Sequence, residues 1–247
     1  MKLAKQVYGF LWAVWGFSWF LLVVFLFTIV YAVVLGVFGR KYSMWCVWVN
    51  CHYLSPFLLW VNGIKLVVHG LENIEEKGTY VVVANHRSQV DIIAGASALP
   101  FPVRFLAKAE VKYIPFFGFM VRMLAIIVDR KSKESREKSY RYMAAALQKG
   151  ESLFIYPEGT RNRTEAPLKE FKDGAFKVAV MAQVPIAVQT LVGAMELNDP
   201  RTWALYPGTI HLYWSRPVET KGMTAADIPM LKETVRNEML KHLQASS

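Results

Sequence analysis

Asn85-His86-Arg87-Ser88-Gln89-Val90-Asp91 sets an imidazole five residues ahead of a carboxylate. A carboxylate that accepts a hydrogen bond from one ring nitrogen fixes the tautomer and makes the other nitrogen a better base. On one continuous helix the two side chains would point about 140° apart. They meet if His86 lies in a strand-to-helix turn and Asp91 in the first helical turn. Read alone, the segment is more simply a capping Asn, a structural His and a first-turn Asp favoured by the helix dipole. Tyr156-Pro157-Glu158-Gly159-Thr160-Arg161 is the second segment. Pro157 and Gly159 shape a turn, Glu158 can orient a donor, and Arg161 offers a planar fork suited to phosphate. Its plainer reading is a tight turn with a surface Arg. The third runs from Lys108 through Glu110 and Lys112 to Ile114-Pro115-Phe116-Phe117-Gly118. It would join a phosphate contact to an acyl-chain or membrane contact, or be a charge run beside ordinary core.

The elements that must position these groups are legible as apolar runs. Residues 79–84 are a short β-branched stretch of the kind buried on both faces of a sheet. Residues 104–107, 125–129, 152–156, 185–190 and 208–214 read as further strands. Residues 133–149 form a helix candidate with Ser132 as N-cap and Gly150 as the stop. Asp173 could cap a helix reaching Ala182. Thr224 and Asp227 form a capping pattern before a last amphipathic helix with Ile228, Leu231, Val235 and Met239 on one face. The alternation predicts an α/β layer fold, with residues 65–247 as one domain.

Residues 1–64 differ. Gln6 to Gly39 holds no charged residue, a second uncharged stretch follows from Tyr42 to Ile64, and no acid precedes Glu72. The first stretch is too long for a secretory signal, so it reads as a retained membrane anchor. Lys2 and Lys5 precede it and Arg40 and Lys41 follow it. Basic residues favour the cytoplasmic side, so the first stretch should dip in and return, or lie in one leaflet. A single spanning helix is the runner-up, and a hairpin buried in a soluble core ranks third. The second stretch, with Asn50, His52 and Pro56, looks interfacial. The expectation is a two-helix motif in the cytoplasmic leaflet, with Trp12, Trp15, Trp19, Trp45, Trp48 and Trp60 near headgroup level.

The chain has 247 residues, 54% of them apolar, and a net charge of +10. That hydrophobicity excludes disorder, and the charge favours anionic partners. A nucleic-acid binder would explain the charge but not the apolar N-terminus, and no binding motif for nucleic acid is present. Cys46 and Cys51 fit no C-x-x-C spacing and read as small hydrophobes.

Taken in order and at these intervals, N-H-x4-D, K-x-E-x-x-x-I-P-x-x-G and P-E-G-T-R resemble the bacterial 1-acyl-glycerol-3-phosphate acyltransferases of the glycerolipid acyltransferase superfamily. The resemblance spans about Leu71 to Pro185. It implies a mixed sheet flanked by helices, with a helical membrane-anchoring motif in front. It implies His86 as general base, Asp91 as its orienting partner, and Glu158, Gly159, Thr160 and Arg161 as substrate-binding residues. The family's G-x-x-F-x-x-R motif would end at Arg130, with Leu124 and Ile127 in place of its Gly and Phe. Val184-Pro185-Ile186 matches the start of the last motif, with Val188 where a second Pro is common. The implied reaction moves an acyl chain from an acyl thioester to the sn-2 hydroxyl of lysophosphatidate at the cell membrane, the catalytic domain facing the cytoplasm. The donor would be acyl-carrier protein or acyl-coenzyme A. A thioester is already activated, so neither metal nor cofactor is expected. The acceptor phosphate needs cations, for which Lys108, Arg130 and Arg161 are candidates. Acylation of Ser88 through His86 is possible chemistry, ranked below direct transfer. Acylation of glycerol 3-phosphate or another lysophospholipid is a near alternative. A non-catalytic adaptor binding anionic lipid is a distant one, since it has no use for a poised base.

Overall fold

The computed structural model describes residues 2–114, 116–128 and 133–245. A 37-residue helix, α1 (Lys2–Phe38), comes first. After one 3-10 turn the chain returns through α2 (Ser43–Val49), a wider π-helical segment (Asn50–Leu54) and α3 (Ser55–Val61). Then follow β1 (Ile64–His69), β2 (Val81–Ala84), α4 (Val90–Ser97), β3 (Val103–Lys108), α5 (Phe117–Leu124) and β4 (Ala125–Val128). The remainder is α6 (Lys133–Gln148), β5 (Ser152–Ile155), α7 (Gly174–Ala182), β6 (Ile186–Val192), α8 (Ala194–Leu197), β7 (Gly208–Trp214) and α9 (Ile228–Ala245).

The described strands form one sheet in the order β1-β7-β6-β2-β5-β3-β4. All neighbours are parallel except β6 and β7. The mixed sheet follows from the connections: a helix lies between each pair of successive strands from β2 to β6, which run parallel, while the longer loop after α8 reverses the chain into β7. Ala84 at the end of β2 pairs with Gln189, and Lys108 at the end of β3 pairs with Val128. The carboxyl ends of β2, β5, β3 and β4 therefore lie along one edge, where α/β sheets bind ligands.

Each strand offers alternate side chains to opposite faces. Val82, Ala84, Phe154 and Ala187 pack under Tyr31, Cys46, Leu54 and Leu58 of the N-terminal helices. Val81, Val83, Leu153 and Val188 pack against Met143, Phe176, Leu231 and Met239 of α6, α7 and α9. The N-terminal helices thus share with α4 and α5 the cover of one face of the sheet.

The first apolar stretch does not dip and return within itself. It is one unbroken helix of about 55 Å, because no proline interrupts it. The break comes at Gly39, whose φ of 83° is left-handed and ends the helix. The second stretch makes the return. Pro56 would clash with a regular turn before it, and the π segment widens that turn, Ser55 N–H bonding Asn50 O. Trp12 Nε1 donates to Asn62 O at 3.0 Å and Trp15 Nε1 to Val61 O at 3.1 Å. These indoles cap the last carbonyls of α3 and tie the hairpin shut. Gly16 is needed there: a Cβ would stand 2.1 Å from Asn62 Oδ1. Trp45 and Trp60 remain exposed.

Thr224 and Asp227 make the capping box. Asp173 stands before α7, but its backbone is already helical and its side chain caps nothing; it pairs with Lys232 on α9 at 3.0 Å. Ser132 and Asp129 lie outside the described residues.

Candidate active site

The turn after β2 carries the first motif. Asn85 is not a cap. Its side chain exchanges two hydrogen bonds with the Leu191 backbone on β6, at 2.9 and 2.7 Å, and pins the turn to the neighbouring strand. His86 follows in the turn and Asp91 lies in the first turn of α4. His86 Nδ1 is 3.1 Å from Asp91 Oδ2. The same oxygen accepts the backbone N–H groups of Arg87 and Ser88, both at 2.6 Å. Asp91 is wholly buried and His86 nearly so. With Nδ1 donating to the carboxylate, Nε2 is the basic nitrogen. The pair can take a proton at Nε2 and hold the resulting imidazolium against a buried carboxylate.

The loop after β5 closes over this turn. Glu158 Oε1 accepts from His86 N at 2.8 Å, and Oε2 accepts from Lys169 N at 2.9 Å. Glu158 is buried and fastens two loops by their backbones, so it acts on His86 from behind. Burial pushes its carboxyl above the ordinary value of 4.5, against the opposing pull of those two amides. Gly159 adopts φ 74° and its N–H bonds Tyr156 O at 3.0 Å, closing the turn. Asn162 N donates to His86 O at 2.6 Å. Thr160 is exposed and its hydroxyl meets Lys169 Nζ at 3.1 Å. Arg161, half-buried between them, has no ion pair with the described residues. Lys108 is exposed at the end of β3, on the same edge. Arg130 lies outside the described residues.

Three residues enter in roles that the sequence reading did not give them. The Tyr156 ring stacks on the imidazole, centroids 4.1 Å apart and 22° between planes. Its hydroxyl is buried without a partner, and burial, then the charge of Asp91, push its pKa well above the ordinary range. Asn198 accepts from Ser88 Oγ at 3.1 Å and Gln89 N at 3.3 Å. Asn162 also bonds Ala166 O and Thr164 N through its side chain, an Asx-type turn that an Asn two residues before a Thr signals weakly. Nothing local marks Asn198. Ser88 is wholly buried with its hydroxyl directed at Asn198, which removes the geometry for an acyl-serine.

Residues 65–190, about half of the chain, match the family model described as Acyltransferase. The chain belongs to this acyltransferase family. A 1-acyl-sn-glycerol-3-phosphate acyltransferase of Saccharomyces cerevisiae is 27% identical over 221 residues, covering 88% of this chain and 72% of that one. The human 1-acyl-sn-glycerol-3-phosphate acyltransferase alpha is 31% identical over 196 residues, covering 77% and 69%. The crystal structure of the 1-acyl-sn-glycerophosphate acyltransferase PlsC from Thermotoga maritima shares the fold of this acyltransferase. Its TM-score is 0.67 at 22% identity, covering 91% of this chain and 95% of that one.

Proposed function

We propose that this acyltransferase moves an acyl chain from an acyl thioester to the sn-2 hydroxyl of lysophosphatidate, giving phosphatidate. The observation that carries the reading is the buried His86–Asp91 pair at the carboxyl edge of the sheet. An alcohol is a poor nucleophile until a positioned base takes its proton, which contributes about 10²–10⁴-fold. His86 Nε2 takes the hydroxyl proton as the oxygen attacks the thioester carbonyl. The C–O bond forms, the C–S bond breaks, and the imidazolium returns the proton to the leaving thiolate. No covalent enzyme intermediate and no cofactor enter this balance. Arg161 and Lys108, with Arg130, supply cations for the acceptor phosphate. The names of the yeast and human relatives support this acceptor. Acyl-carrier protein and acyl-coenzyme A are both anionic and both suit a chain of net charge +10.

The N-terminal helices seat the site on the cytoplasmic face of the membrane. α1 is long and apolar enough to cross a bilayer, yet three features argue that it lies along the domain. Tyr206 bonds Lys5 O near its start, Phe116 packs on Phe25 in its middle, and beyond its end Met44 lines a cavity with Gly78, Phe101 and Ser152. A helix held at both ends by one domain cannot also run to the far side of the bilayer. The opposite face, with Phe10, Phe17, Leu22 and Leu26, is exposed.

The test is purified protein with lysophosphatidate and either thioester, following phosphatidate and free thiol together. Equal release of both is expected, with His86→Ala nearly inactive. Retention of more than about a tenth of the rate in His86→Ala would exclude general-base catalysis of the usual size. Thiol release without phosphatidate, or preference for glycerol 3-phosphate, would overturn the assigned acceptor.

A further inference from the structure

We infer that the loop between α8 and β7 is a second membrane contact, in which Trp203 enters the headgroup region of the bilayer beside the start of α1. The inference rests on the reading of α1 as seated in the membrane. Trp203 is 82% exposed, whereas Trp214, eleven residues on in β7, is buried. Its exposure is not slack chain. Ala204 N bonds Thr202 Oγ1 at 3.3 Å and Thr202 Oγ1 bonds Asp199 O at 3.2 Å. Arg201, paired with both Asp199 and Glu165, braces the same turn. The indole is held outward by a built turn.

The loop is fastened to α1. Leu205 N donates to Gly9 O at 3.0 Å, and Tyr206 Oη donates to Lys5 O at 3.2 Å. The Tyr206 ring stacks with Tyr8, and Lys5 Nζ stands 5.4 Å from its centroid. Gly9 admits this approach, since a Cβ there would fall 2.5 Å from the Tyr206 ring. Leu3, Val7, Phe10 and Leu11 are exposed on the same part of α1. Trp203 is thus continuous with an apolar face that already needs a lipid environment. A body that is apolar with one N–H donor suits the interface between chains and headgroups. Lys5 beside it suits an anionic headgroup.

The same loop reaches the catalytic turn through one side chain. Asn198 accepts from Ser88 and Gln89 and donates through Nδ2 to Ala204 O at 3.0 Å. A bilayer that takes Trp203 therefore fixes the height of the His86 turn above the lipid from which the acceptor comes.

The test uses the full chain in nanodiscs containing phosphatidylglycerol. A polarity-sensitive fluorophore is placed at Trp203→Cys and, separately, at Leu22→Cys on the exposed face of α1. Cys46 and Cys51 are buried, and labelling of the unsubstituted protein sets the background. The label at 203 should be blue-shifted, quenched by lipids carrying a spin label near the headgroup, and protected from aqueous iodide. If 203 reads water while 22 reads lipid, this inference fails and the anchor stands. If both read water, the seating of α1 itself fails. A second measurement is the rate of Trp203→Ala. It should fall about five-fold on long-chain lysophosphatidate in nanodiscs, as loss of roughly 1 kcal/mol of interfacial contact implies. It should be unchanged on a short-chain acceptor dissolved as monomer. Equal loss on both acceptors, or loss on neither, overturns the inference.

Discussion

Asp91 Oδ2 serves three donors at once, and that is what fixes His86. Asp91→Asn keeps a similar volume but presents an amide that cannot neutralise an imidazolium. We expect a loss of about 10²-fold or more in kcat with the melting temperature shifted little, measured on the same preparation. Tyr156 covers the imidazole face, so Tyr156→Phe should keep most of the rate and Tyr156→Leu should lower kcat more than it raises KM. The reverse pattern, with Phe as damaging as Leu, would assign the role to the hydroxyl. Arg161→Ala should weaken use of lysophosphatidate by roughly 1.5–3 kcal/mol, the worth of a charge-assisted contact. Monoacylglycerol as acceptor should be little changed, and equal losses for both acceptors would mark Arg161 as structural. His86 and Asp91 were legible because both ends of their hydrogen bond lie within one turn of chain. Tyr156 and Asn198 were not, since each meets that turn from another strand or loop and no spacing rule covers such a meeting.

At the level of elements, the buried strands announced themselves. β2 is a four-residue apolar run, β5 is apolar after Ser152, and both are buried throughout. β1 is an edge strand that begins inside the tail of the second uncharged stretch, so composition hid it. α5 is too short to show a helical period, and its start is set by an irregular backbone, Phe116 having φ 59°. Gly118 is its fixed point, because a Cβ there would lie 2.3 Å from Lys112 O, a backbone atom that cannot swing aside. Gly118→Ala should therefore cost about 1–3 kcal/mol of stability, read as a lowered melting temperature in detergent. Glu158 joins two loops, and its pH behaviour has a definite sign. Its folded-state pKa is raised, so the native state binds the proton more tightly than the unfolded chain. Its contribution is greatest below about pH 4.5 and falls as pH rises through the shifted value. Glu158→Gln has no such titration, so the melting temperature of the wild type relative to that variant should fall between pH 4.5 and pH 7.5.

For the whole molecule, the sequence made the long apolar N-terminal stretch plain and its packing invisible, because hydrophobicity alone does not say which side of a helix meets protein. The structure divides α1 into a face packed on α3 and α5 and a face left open. Cysteines introduced at Gly36 and Lys41, both exposed, should resist a membrane-impermeant reagent applied to the non-cytoplasmic face of sealed vesicles. Ready labelling at Lys41 from that side would put the helix across the bilayer after all. The shared core has a consequence in time. The hairpin leaves the ribosome ahead of the sheet, carrying surface that will help to cover Val82, Ala84 and Ala187 before those residues have been made. β6, the last of these, ends at Val192. On the proposed seating, lipid would shelter both faces of α1 for more than a hundred residues of synthesis, and one of them is later surrendered to the rest of the protein. Insertion would then be the first step of folding rather than its sequel. A chain starting at Ile64 should emerge with one side of its sheet only partly covered, and should aggregate rather than yield a soluble enzyme.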